Sequence, residues 1–153
     1  MRIVERLERF TGAWTGVNRL RLLPTDDFRE SPATAKVAVT AAAYVTVAYT
    51  WVEGDEPQNG LILLGGVPDG DDVSAVWVDS WHAAPAWMTF AGAVDAAGVV
   101  RLTGSYPAPS GPDWGWLIDI DPGRGEGGRI TMYNVVPGEE PYSAVEIALD
   151  RPA

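Results

Sequence analysis

A chain of 153 residues, 46% of them hydrophobic, is long enough to bury one sizeable core. It has no Cys and one His, which excludes disulfides, thiolate metal sites and a Cys nucleophile and argues against a zinc enzyme. The formal charge is −10, and the first 36 residues hold seven of the eleven basic side chains, so the acidity is concentrated beyond them; nucleic acid and anionic membrane surfaces are not expected partners.

Residues 1–153 read as one domain. Ile3, Val4, Leu7 and Phe10 recur at helical spacing with charged residues between them, which predicts a short amphipathic capping helix over residues 1–11. The same charges argue against a signal peptide, and no stretch reaches the ~20 apolar residues of a membrane span. A cytoplasmic location is the expectation.

After Gly12 the chain alternates turn chemistry with short apolar segments. The segments are Trp14–Leu23, Ala33–Ala42, Tyr44–Glu53, Asn59–Gly66, Val73–Trp81, Trp87–Val94, Val99–Tyr106, Trp114–Asp121, Arg129–Val136 and Tyr142–Leu149. The second and third share a continuous apolar run, so a bend is placed near Ala42-Ala43. Short turns imply antiparallel neighbours. Ten such strands leave two long edges unless the sheet closes, so the prediction is an all-β, ten-stranded, up-and-down antiparallel barrel, with a two-sheet sandwich as the alternative.

Alternation assigns the faces. Placing Arg19 and Arg21 in water turns Trp14, Gly16, Asn18, Leu20 and Leu22 inward. Placing Lys36 outside turns Val37 and Val39 inward, and Thr46 and Thr50 outside turn Val45, Val47, Tyr49 and Trp51 inward. The same argument turns Val100, Leu102, Gly104, Tyr106, Trp114, Trp116, Ile118, Ile120, Val145, Ile147, Leu149 and Arg151 inward. In Val73–Trp81 either face could be buried; the one with Trp77 and Asp79 is taken as the interior, and the other, with Val76 and Val78, as an apolar exterior.

A short helix followed by Gly12-Ala13-Trp14 resembles the start of the calycins: lipocalins, fatty-acid-binding proteins and streptavidin-like barrels. The resemblance implies that Trp14 packs at the closed end of the barrel and that a basic residue near the last strand, here Arg151, stacks on it. Over nearly its whole length the chain resembles a family of uncharacterised bacterial calycin-like proteins, through Gly-x-Trp-x-Gly at 12–16, Trp-Val-Asp-Ser-Trp-His at 77–82, Phe90-Ala91-Gly92 and a last strand closing in Arg. The resemblance implies the fold and transfers no catalytic residue. Nitrobindin-like barrels are a more distant comparison; they are ten-stranded and hold haem through a late His, whereas this chain's His82 is mid-chain.

The stretch from Val76 to Trp87 carries three of the seven tryptophans and the only histidine. His82 reads either as a ligand contact, metal ligand or general base, or as a corner residue capping backbone groups. Asp79, between two aromatics on one face, reads either as a polar anchor or acid–base group, or as a carboxylate that accepts structural hydrogen bonds. Asp79, Ser80 and His82 are too close on one extended strand to form a nucleophile–base–orienter triad. Gly123 to Gly128 matches G-x-G-x-x-G but precedes a strand, so it is a hairpin turn and not a dinucleotide site. Asp69, Asp71 and Asp72 lack the length and distal Glu of a calcium loop.

A ten-stranded barrel is too wide for side chains to fill easily, so a cavity is expected, with apolar walls and a few polar points. The candidate ligand-binding residues are Tyr49, Trp51, Trp77, Asp79, His82, Trp116 and Asn134; Trp14 and Arg151 are structural, and no catalytic residue, metal ligand or cofactor is assigned. The expected function is non-catalytic binding of a small apolar or aromatic molecule inside the barrel. The alternatives are a small enzyme using Asp79 and His82 as an acid–base pair, a haem barrel with His82 as ligand, and a homodimeric interaction protein.

Overall fold

The computed structural model describes residues 1–125 and 127–152; Glu126 of the glycine-rich turn and Ala153 lie outside the described residues. The described residues form a closed barrel of ten antiparallel strands. They are β1 (Gly12–Leu20), β2 (Arg29–Thr40), β3 (Tyr44–Glu53), β4 (Glu56–Gly66), β5 (Asp72–Asp79), β6 (Met88–Val94), β7 (Val100–Tyr106), β8 (Trp114–Asp121), β9 (Gly128–Val135) and β10 (Tyr142–Asp150). Each strand pairs with its neighbours in sequence, and β1 closes on β10 with Gly16 opposite Leu149. Closure leaves no unpaired edge, which removes the aggregation hazard of an open ten-stranded sheet. Residues that precede β1 form α1 (Ile3–Arg6) and then a 3-10 turn over Glu8–Phe10, so the expected single helix tightens in its last turn, as helix ends commonly do. Among the described residues no helix is long and apolar enough to cross a membrane.

The helix covers the end of the barrel where β1 begins and β10 finishes. Ile3, Leu7 and Phe10 are buried there, at the i, i+4, i+7 spacing of one helical face. Trp14 donates its indole N–H to the Phe10 carbonyl at 2.8 Å. The Arg151 guanidinium lies 3.9 Å from the Trp14 ring centroid and donates to the carbonyls of Thr11 and Arg9. It thereby satisfies backbone acceptors at the end of the helical segment that have no helical partner.

Interior residues follow the pleat. Val45, Val47, Tyr49 and Trp51 on β3, Trp77 and Asp79 on β5, and Trp116, Ile118 and Ile120 on β8 are all buried. Three expectations fail at strand ends: those for Leu22, Val39 and Arg151, the last of which lies beyond Asp150, where β10 stops, and is exposed. Leu22 and Val39, assigned inward by alternation, are 56% and 51% exposed. Leu22 lies beyond Leu20, where β1 stops, and Val39 sits one residue before the end of β2, outside the layer that the core fills. Alternation holds only while the sheet lies over the core. In β10 the register shifts between Ser143 and Val145, so both Ala144 and Val145 are buried and the strand's facing phase changes at that bulge.

The bend between β2 and β3 falls at Ala41–Ala43. Ala41 and Ala42 have φ of 47° and 61°, a region that a Cβ disfavours. Ala42→Gly is therefore expected to stabilise the fold by roughly 0.5–1 kcal/mol. A urea-unfolding midpoint that does not rise relative to the parent would contradict this.

Candidate functional site

β1, β3, β5, β7 and β9 end at the far rim, opposite the helix, and the buried aromatic and polar side chains collect there. β5 ends at Asp79, and the chain then crosses the rim through residues 80–87 before β6 returns from Met88.

Asp79 organises this rim. One carboxylate oxygen accepts from the Tyr49 hydroxyl at 2.6 Å and from the Trp51 indole N–H at 3.3 Å. The other accepts the backbone N–H groups of Trp81 at 2.8 Å and His82 at 3.0 Å. A carboxylate offers about four acceptor positions, and here donors on β3 and in the rim loop take them. The Tyr49 oxygen in turn accepts the Trp77 indole N–H at 2.8 Å. Burial first, and the adjacent Asp79 second, push the Tyr49 hydroxyl well above its ordinary pKa, so it remains a donor. Room for the Tyr49 ring comes from Gly60 on β4: a Cβ at that position would lie 2.3 Å from the phenol oxygen.

With its backbone tied to Asp79, His82 is folded back among tryptophans. Its ring centroid lies 5.6 Å from Trp51, 5.7 Å from Trp77, 4.7 Å from Trp81 and 5.7 Å from Trp116. Trp77 and Trp116 stack with ring planes 7° apart and centroids at 5.6 Å.

These groups leave a cavity of about 180 Å³, lined by Trp77, His82, Ala83, Met88, Tyr106 and Trp116. Three of the residues chosen from the sequence therefore line it: Trp77, His82 and Trp116. Tyr49, Trp51 and Asp79 stand behind the wall. Asn134 accepts from the Tyr106 hydroxyl and donates to the Tyr142 oxygen at 3.0 Å, so it positions Tyr106 from outside the lining. Tyr106, Met88, Ala83 and Gly60 are not among the seven candidates. Two of them carry a signal in the sequence: alternation turns Tyr106 inward, and Met88 is the first interior residue of β6. The rest of the interior is filled by side chains such as Leu102, Ile118, Ile130, Met132 and Ile147, so the cavity occupies one end and not the whole barrel.

Burial lowers the His82 pKa, and Asp79 opposes that only in part. A His whose folded pKa is depressed below its unfolded value near 6.5 binds its proton more readily when unfolded, so stability is retained above about pH 6.5 and falls as pH drops towards the folded pKa. His82→Phe is expected to remove this slope. Thermal melts at a series of pH values would test it, and identical slopes in parent and variant would contradict it.

Among the described residues no group of three or more His, Asp or Glu could hold a metal ion. The glycine-rich segment lies between β8 and β9, and among its described residues there is no helix N-terminus at which a pyrophosphate could sit.

Residues 4–151 match the family model described as "Protein of unknown function (DUF1579)". A search of the curated proteins returns no match. Among solved structures, the crystal structure of Rv2717c from M. tuberculosis is similar, with a TM-score of 0.67 and 17% identity over 98% of this chain and 97% of that one. At that identity the likeness concerns the fold.

Proposed function

Because the chain belongs to the DUF1579 family of proteins of unknown function, its role has to be read from its own site, and we propose that it binds a small, largely apolar molecule at the rim of the barrel without chemically changing it. The observation that carries this reading is the cavity of about 180 Å³, walled by Trp77, Trp116, Met88 and Tyr106, with the His82 imidazole as a polar point. It is smaller than the roughly 300–1,000 Å³ of sites for drug-sized ligands and close to the ~150 Å³ of an engineered cavity that takes benzene, so the fitting ligand is fragment-sized. The helix under the barrel, Gly-x-Trp at the start of β1 and Arg151 over Trp14 support reading the barrel as calycin-like.

The same geometry weighs against the other readings. Asp79 bonds the backbone of His82, and its acceptor positions are occupied, an arrangement that gives an acid–base pair no support. A porphyrin held by His82 would stand largely outside so small a cavity. An interaction surface has one observation in its favour: Leu61, Leu63 and Val78, on the outer face of β4 and β5, are each more than a third exposed.

Native mass spectrometry of the purified protein, compared with its denatured mass, tests binding and dimerisation together. Protein-observed NMR of the 15N-labelled chain, titrated with single-ring fragments, completes the test. The expected result is fragment binding that shifts the Trp77 and Trp116 indole signals. Stable dimers with no fragment bound would overturn the reading in favour of the interaction surface.

A further inference from the structure

We propose, building on this rim-cavity reading, that the ligand is a small organic cation of the methylated-ammonium type, held against the faces of Trp77, Trp116 and Tyr106 and attracted by the buried Asp79 carboxylate behind them.

Three observations carry this. First, Asp79 is 5% exposed, and its partners are all neutral: a phenol, an indole and two backbone amides. Among the described residues no Lys or Arg forms an ion pair with it. A buried charge is ordinarily paired, so the site keeps a negative potential that lacks its counter-ion. His82 does not supply one, because burial lowers its pKa more than Asp79 raises it.

Second, the hydrogen bonds run in a relay. The Trp77 N–H donates to the Tyr49 oxygen, and the Tyr49 hydroxyl donates to Asp79. Each donation polarises the next group, which makes the Trp77 π-system more electron-rich, and Trp77 lines the cavity. The faces of Trp and Tyr attract cations, and a methylated ammonium suits such a wall because its methyl groups reduce the cost of leaving water.

Third, the cavity has the volume for one such head group and few polar groups to solvate a primary ammonium. The net charge of −10 draws cations towards the protein and repels carboxylate ligands.

The test compares choline with 3,3-dimethyl-1-butanol, which has the same shape without the charge, by isothermal titration on the full chain at low ionic strength. Choline is expected to bind about tenfold more tightly, the scale of one cation–π contact with a nearby carboxylate. Trp116→Leu, which keeps an apolar wall but removes one ring face, is expected to shrink that ratio. The comparison in the unmodified protein stands even if the variant does not fold. Equal affinities, or a tighter alcohol, would overturn the cation while leaving the cavity reading intact. Binding of neither probe, in a protein that also binds none of the neutral fragments, would overturn both.

Discussion

Asp79→Ala should lower stability by about 3–4 kcal/mol, a shift of roughly 10 °C in the melting temperature of a domain of this size. The loss exceeds that of an ordinary hydrogen bond because four donors lose one acceptor group together: the Tyr49 hydroxyl, the Trp51 indole and the amides of Trp81 and His82. Tyr49 is 3% exposed and Trp51 3% exposed, so water does not easily replace the carboxylate. Asp79→Asn should cost less than Ala but still more than 1 kcal/mol. Its amide can offer one oxygen, and its NH2 then faces two groups that are themselves donors. Scanning calorimetry measures both variants. A loss under 1 kcal/mol for Ala would mean that the rim does not depend on this carboxylate. The effect should extend to function, because the two amides that Asp79 holds carry the loop that places His82 in the cavity.

Gly16→Ala should cost about 3 kcal/mol or more, with a matching fall in the urea midpoint. A Cβ at Gly16 would lie 1.7 Å from the Ala148 carbonyl oxygen, which is backbone of the strand that closes the barrel. A side chain in the way could swing aside, but here β1 and β10 would have to separate. That would expose two strand edges, so increased aggregation should accompany the loss. Gly54→Ala is the control: its φ of +60° disfavours a Cβ, but nothing lies within 4 Å, so about 1 kcal/mol is expected. A Gly16 variant no worse than this control would contradict the seam argument. The close approach also gives a physical meaning to the Gly-x-Trp-x-Gly run. Gly12 leaves room for the Arg151 guanidinium, Trp14 supplies the ring beneath it, and Gly16 lets the closing strand approach.

The elements were legible in the sequence because their causes are local. Gly, Pro and Asp mark the turns and two-residue alternation marks the strands, so β3 and β8 fall where the pattern put them. In β5 the pattern left either face open to burial, and the structure buries the one that carries Trp77 and Asp79. The pattern gave wrong burial for Leu22, Val39 and Arg151 because alternation does not report where the sheet leaves the core.

The tertiary structure alone decided the character of the site. Asp79 could have been an anchor for a ligand or a structural acceptor, and nothing adjacent in the chain distinguishes these. The deciding partners, Tyr49 and Trp51, lie 30 and 28 residues earlier and reach it only through the pairing of β3, β4 and β5. Gly60 looked like any strand glycine until Tyr49 was seen to occupy its space. The cavity's size depends on how side chains from many strands fill a closed interior, which strand periodicity does not encode. The sequence determined which residues share a face; barrel closure determined which of them meet, and hence that Asp79 supports the cavity wall while His82, Trp77 and Trp116 form it.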